Sequence, residues 1–342
     1  MSAYIVTHLK NGNRLMFNSL INPHDFVVLY EKIRRTGFGE ILFKLVEKDE
    51  ERVRRSWSHT SGSTSNWWDI PEVQRRWNYL ITGSADKDHV EYISEKYLNG
   101  DRPLAGISLG CGSGNREIRW VSVCKNLRLT GIDVSKERIE QARINAQNAG
   151  VGSKTSFEVA DVHALDPGEK RYDVVIVEGA LHHFHAIGNV LDKIRVSLRD
   201  NGIFIVNEYV GPARFQWTDK QLETANRVLG TIPHEYRRKY FDGTLKKNIY
   251  RPGRLSMYLN DPSESAESNL IENSIAGRFS VLEKKEYGGT LLQLIFKDIA
   301  HNFTDGSNRT KKLLDSIFAV EDDGLKRGEL KSDFVLMVCR NK

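Results

Sequence analysis

"ISLGCGSGNREI", residues 107–118, is the stretch that decides the fold. An apolar lead ends in glycines at alternate positions, Gly110, Gly112 and Gly114, and a helical pattern follows. Glycine admits backbone angles closed to other residues and lets another group approach the chain. A glycine turn between a strand and a helix suits a bound nucleoside. The spacing is G-x-G-x-G, which departs from the G-x-G-x-x-G dinucleotide fingerprint. No G-K-[ST] follows, which argues against a triphosphate loop.

Outward from this turn, strand and helix alternate. "LAGISLG" and "LRLTGIDV" read as strands around a helix, "GNREIRWVSVCKN". "KERIEQARINAQNAG" is a helix closed by Gly150, and "TSFEVAD" a strand. "YDVVIVEG" and "IFIVNEYVG" are apolar strands separated by a helix over "HAIGNVLDKIRVSLRDNG". Alternation at this spacing predicts right-handed crossovers and a parallel doubly wound sheet, with strands covered on both faces. After Val210 the rhythm breaks. "PARFQWTDKQLETANRVLGTIPHEYRRKYF" reads as mostly helical and "YRPGRLSMYLNDPSESAESNL" as turn-rich. "GRFSVLEKKEYGG" reads as a strand and "TLLQLIFKDIAHNF" as a helix, and "SDFVLMVCRNK" as a last strand.

Ahead of the sheet, residues 1–101 read as mainly helical, with "VVLYEKIRR" and "GEILFKLVEKDEERVRRSW" carrying apolar residues three and four apart. "SHTSGSTS" reads as a loop. "NWWDIPEVQRRWNYLITG" starts a helix with Pro71 in its first turn. The division expected is residues 1–101 covering the ligand site, and residues 102–342 as the sheet domain with an insertion over 212–262.

At 39% hydrophobic and 28% charged residues, the composition is that of a soluble globular chain. No apolar run is long enough to span a bilayer, and the N-terminal stretch lacks the apolar core of a signal peptide. Cys111, Cys124 and Cys339 form no C-x-x-C pair, so a reducing, cytoplasmic setting is expected. The formal charge of +5 is a small excess of 50 basic over 45 acidic side chains, too small to imply nucleic acid as a partner.

The order of four motifs carries a resemblance. "LGCGSG", "GIDVS", "VADVHAL" and "YDVVIVEGALHHF" follow one another as in class I methyltransferases that use S-adenosylmethionine, and the chain resembles that family over about residues 104–210. The resemblance implies a Rossmann-like seven-stranded α/β sheet, mostly parallel with a reversed last strand and helices on both faces. It implies S-adenosyl-L-methionine as cofactor and S-adenosyl-L-homocysteine as product. Gly110, Cys111, Gly112 and Asn115 would line the methionine end. Asp133, with Val134 beside it, would hold the ribose, a role that suits a carboxylate at a second strand's end. Asp161 would face the adenine amino group, with Val162 against the ring. Glu178 and Leu181 would border the cofactor on its substrate side. Where many members place an acid, this chain has Ser108. Arg76, in the segment resembling a cofactor-covering N-terminal element, would face the cofactor carboxylate.

The chemistry implied is methyl transfer to a hydroxyl, or an amine, of a small molecule such as a sugar or specialised metabolite. A hydroxyl must lose its proton, which calls for a base near the methyl. Candidates are His182 and His183 in "LHHFH", and Glu208 and Tyr209 in "NEYVG". The three histidines have no carboxylate or cysteine cluster in the surrounding sequence, so no metal is expected. Within the insertion, Arg214, Trp217, His234 and Tyr236 would contact the acceptor through charge and aromatic surface, or anchor a homodimer. RNA or protein methylation, or a cofactor-binding scaffold without catalysis, are the alternatives. No N-P-P-[YF] motif and no RNA-binding module is present.

Overall fold

A computed structural model describes Asp25, residues 66–254, Met257 and residues 261–341. The helices expected in "VVLYEKIRR" and "GEILFKLVEKDEERVRRSW", the "SHTSGSTS" loop and part of the turn-rich stretch after Arg254 lie outside the described residues.

The sheet has seven strands in the order β3-β2-β1-β4-β5-β7-β6. These are β1 (Leu104–Leu109), β2 (Leu127–Asp133), β3 (Thr155–Val159), β4 (Tyr172–Glu178), β5 (Leu198–Tyr209), β6 (Phe279–Glu286) and β7 (Phe334–Asn341). β1 to β5 are parallel. β7 runs antiparallel to both β5 and β6, so it alone is reversed.

Period-2 alternation explains why the central strands read as unbroken apolar runs. On β4, Val174 and Ile176 join the core that contains Trp120, while Val175 and Val177 join the opposite core. β5 splits in the same way, with Ile203 and Ile205 on one face and Phe204 and Val206 on the other. Helices α1 (Pro71–Thr82), α2 (His89–Tyr97) and α3 (Asn115–Val123) cover the first face. Helices α5 (Ile187–Ser197) and α7 (Ile271–Arg278) cover the second. Between β2 and β3, α4 (Lys136–Asn148) packs on Phe157. A third core joins α6 (Asp219–Thr231), the five-residue α8 (Leu292–Phe296) and α9 (Asn308–Lys326) to Trp67.

Local chemistry sets the helix ends. Pro71 occupies the first turn of α1, where its missing N–H costs nothing, and Gly83 closes the helix at φ 83°. In α2 the side chain of Asp88 accepts from the backbone of Glu91, while Glu91 reaches back, completing a capping box. Two elements differ from the sequence reading. Residues 198–202, read as the end of a helix, begin β5, because Leu198 pairs with Tyr172 and Asn201 turns the chain at φ 64°. "TLLQLIFKDIAHNF" is broken after Phe296, where Asp298 takes φ 68° and a 3-10 turn follows at Ala300–Phe303.

Candidate active site

The carboxyl ends of β1 to β5 open into one cavity of ≈ 1680 Å³. Single-ligand pockets usually measure about 300–1,000 Å³, so there is room here for two ligands side by side.

At one end the glycine turn is pinned to β2. Gly110 and Cys111 donate to the carbonyl of Ile132 at 2.8 and 3.0 Å. Gly112 N–H donates to Asp133 Oδ2 at 2.9 Å, and Ser135 N–H to Asp133 Oδ1 at 2.9 Å. Each carboxylate oxygen thus keeps a lone pair, and Asp133 lies on the cavity wall. The three glycines are needed for different reasons. A Cβ on Gly110 would stand 2.5 Å from Cβ of Ala180, and one on Gly114 2.9 Å from Ala142. Only at Gly112 would it point past a single neighbour, Arg138, at 3.2 Å. So protein packing needs Gly110 and Gly114, and only Gly112 presents bare backbone to a ligand. Cys111, Asn115, Val134, Asp161 and Val162 also lie on the wall.

Ser108 does not leave this end without an acid. Its hydroxyl donates to Glu117 Oε1 at 2.6 Å, and both residues are buried. Burial pushes the Glu117 carboxyl up to about 7, and its Oε2 has no partner. An acid thus stands on α3, behind the glycine turn.

Three cofactor expectations are corrected. Arg76 is not on the wall; its guanidinium pairs with Glu321 at 3.2 Å and Asp322 at 2.5 Å, joining α1 to α9. The arginines that line the cavity are Arg116, in the first turn of α3, Arg138 and Arg214. Glu178 is buried and accepts from His89 Nε2 at 2.8 Å and Trp120 Nε1 at 3.3 Å. It shares its parity with Val174 and Ile176, so the strand turns it toward the Trp120 core, and His89 takes its place on the wall. Leu181 is wholly buried in the opposite core.

At the other end stands the 3-10 turn Leu181–His183. Glu208, at the end of β5, is buried and accepts from the backbone of Ala180 at 2.9 Å, Leu181 at 2.6 Å and Tyr209 at 2.7 Å. It also holds His182 Nδ1 in a short hydrogen bond. With its lone pairs so used, Glu208 orients His182 and is not itself the base. Burial alone would lower the His182 pKa, but the Glu208 carboxylate outweighs it and holds it above the ordinary range. Burial, with His182 adjacent, holds His183 well below that range. Tyr209 also lines the cavity; burial raises its phenol, which donates to the carbonyl of Pro212 at 3.1 Å.

The insertion meets this end through fewer residues than the sequence suggests. Arg214 lines the cavity and ties the segment's two ends, its Nη1 donating to the carbonyl of Pro262 at 2.5 Å. Trp217, His234 and Tyr236 do not reach it. Trp217 is buried against Phe215 in a stack at 5.5 Å. Tyr236 is buried with its hydroxyl 2.8 Å from Thr310 Oγ1 on α9, which leaves His234 on the exposed outer turn. Among the described residues of the insertion, the aromatics that reach the wall are Phe215, Tyr240 and Phe241. No carboxylate cluster surrounds "LHHFH" along the chain, but the fold brings Glu264 there, with His182 Nε2 at 3.6 Å and His183 Nε2 at 3.9 Å. Arg116 and His89 had a usable signal, since each follows directly on a helix start at the carboxyl edge. Glu264 had none, being more than fifty residues from the motifs it joins.

Residues 104–254 match a family described as a methyltransferase domain. The 27-O-demethylrifamycin SV methyltransferase of Amycolatopsis mediterranei is 31% identical over 32% of this chain and 39% of its own. A malonyl-[acyl-carrier protein] O-methyltransferase of Halalkalibacterium halodurans is 23% identical over 54% of this chain and 64% of its own. A sterol 24-C-methyltransferase of Candida albicans is 25% identical over 47% of this chain and 43% of its own. The chain thus spans about two fifths to two thirds of the length of these relatives. With the strand order, the glycine turn and the Asp133 position, the match makes residues 104–254 similar to a methyltransferase domain on a Rossmann-like sheet. No helix among the described residues is long and apolar enough to cross a membrane.

Proposed function

We propose that this protein transfers a methyl group from S-adenosylmethionine to a hydroxyl, or less favourably an amine, of a small-molecule acceptor. The observation that carries this reading is a single cavity whose wall holds both a glycine–carboxylate cradle at Gly112 and Asp133 and a histidine pair, His182 and His183. The cradle fits the cofactor: bare backbone at Gly112, and a carboxylate with one lone pair left on each oxygen for the ribose. Arg116 would hold the cofactor carboxylate. Asp161 and Val162 would meet the adenine.

The cofactor supplies a methyl already activated by its sulfonium, so the protein's work is alignment, exclusion of water and management of one proton. Phe215, Tyr240 and Phe241 give the acceptor an apolar wall. The acceptor's proton leaves at the cluster around His182, whose imidazole Glu208 fixes in place. Two of the relatives named above are O-methyltransferases or act at an O-demethylated position, which supports oxygen as the acceptor atom. An aromatic-walled cavity supports a small acceptor over RNA or protein. The proposal extends to a cytoplasmic setting, supported by three unpaired, buried cysteines. It also extends to a homodimer, supported by exposed Tyr250 at 48%, which gel filtration tests.

Calorimetry with S-adenosylmethionine tests the cradle. Asp133→Ala should weaken binding at least about tenfold in a folded protein, since hydrogen bonds to a charged group are worth ~1.5–3 kcal/mol. Unchanged affinity would end the ribose assignment. A methylated product from an acceptor panel tests the transfer.

A further inference from the structure

We propose that His182, His183 and Glu264 form a site for one divalent first-row transition ion at the acceptor end of the cavity. The ion's task rests on the methyl-transfer reading; its binding does not.

Each of the three residues offers one ligand atom, and these atoms lie within 4.8 Å of one another. His182 Nε2 is 3.6 Å from Glu264 Oε1, and His183 Nε2 is 3.9 Å from Glu264 Oε2. Both distances are too long for hydrogen bonds. They are close to the ~3.4 Å that separates ligands sharing one ion at about 2.1 Å in tetrahedral geometry.

The surroundings orient both imidazoles for this purpose. A metal-bound histidine ordinarily donates its other ring N–H to a carboxylate, carbonyl or other acceptor. His182 Nδ1 bonds to the buried Glu208 carboxylate. His183 Nδ1 lies 3.3 Å from Ser263 Oγ, whose own hydrogen goes to Asp261 Oδ1 at 2.5 Å. Ser263 therefore accepts, and His183 carries its proton on Nδ1. In both rings Nε2 then bears the lone pair.

The donor set selects the ion. Two imidazoles and one carboxylate suit zinc, cobalt, nickel, manganese or ferrous ions; magnesium and calcium prefer all-oxygen sites. Three ligands leave coordination positions for a ligand from the cavity, as in sites where an ion activates a bound oxygen. Two neutral imidazoles and one carboxylate leave a net positive charge on the ion. That favours an acceptor hydroxyl that binds through oxygen and releases its proton to solvent.

The test uses tag-free protein stripped with a chelator, titrated with Co2+ alone by visible absorption and calorimetry, then with Zn2+ alone. One saturable equivalent is expected, with cobalt absorption in the range for mixed nitrogen and oxygen ligands. Glu264→Gln and His183→Ala should each weaken binding more than tenfold while thermal melts show folded protein. Absence of saturable binding, or binding that Glu264→Gln leaves unchanged, overturns the site. If no ion binds but methylated product still forms, the ion site falls and the transfer reading stands, with His182 taking the proton directly. If the ion binds and no acceptor is methylated, the site stands and the transfer reading falls.

Discussion

At the scale of single residues, what matters is which atom a side chain or its absence presents to the cavity. Gly110 and Gly112 look alike in the sequence but face different things. Alanine at Gly112 costs the left-handed conformation, about 1–2 kcal/mol, and puts a methyl where the cofactor is proposed to lie. Alanine at Gly110 adds to that strain an overlap with Ala180, bringing the expected cost to about 2–5 kcal/mol. Gly110→Ala should thus lower the melting temperature far more than Gly112→Ala, and Gly112→Ala should lose cofactor affinity in a protein that stays folded. Melts and calorimetry on the pair check this; equal melting temperatures would refute the division. Asp133, His182 and Asp161 were legible because a short motif fixes each at a strand's carboxyl end. Glu178 was not placed correctly, because one step of strand parity separates the cavity from the Trp120 core.

At the scale of elements, helix packing decides which charges are available. Arg76 sits on α1 with the chemistry expected of a carboxylate-binding residue, yet α9 presents Glu321 to it. Glu321 is fully buried and also accepts from the backbone of Gly289 and Leu291. Removing one member of a buried pair strands the other. Arg76→Ala should therefore cost about 3 kcal/mol of stability and leave cofactor affinity of the folded protein unchanged. Arg116→Ala should do the reverse, because that side chain is more than half exposed on the cavity wall. Denaturant titration and calorimetry on the two variants separate the roles; loss of affinity in Arg76→Ala alone would restore the original expectation. The aromatic insertion followed the same logic. Trp217 and Tyr236 had the right chemistry for an acceptor, but α6 and α9 claim them for their own core.

At the scale of the whole molecule, Asp333 couples the insertion to the sheet's last strand. It is buried, its side chain accepts from Gln221 of α6 at 3.1 Å, and its carbonyl accepts from Val210 after β5. Burial, with Glu321 close by, pushes its carboxyl from 3.8 to about 8. Between those values the folded chain holds a proton that the unfolded chain has released. Stability therefore falls as pH rises through that window, by at most ~1.4 kcal/mol per unit, and levels off above it. Asp333→Asn should flatten that slope and gain stability on the alkaline side, which urea titrations at about pH 5, 7 and 9 measure; a variant with an unchanged slope would show that Asp333 is ionised when folded. The sequence by itself determined the alternating fold, the cofactor edge and the motif residues on it, because strand and helix periods and a glycine turn are local properties of the chain. Only the tertiary structure decided which face Glu178 takes, that Arg116 and not Arg76 reaches the cavity, and that Glu264 stands beside His182 and His183. Those outcomes depend on contacts between segments far apart in sequence, whose side chains compete for the same core, and no local pattern records which of them wins.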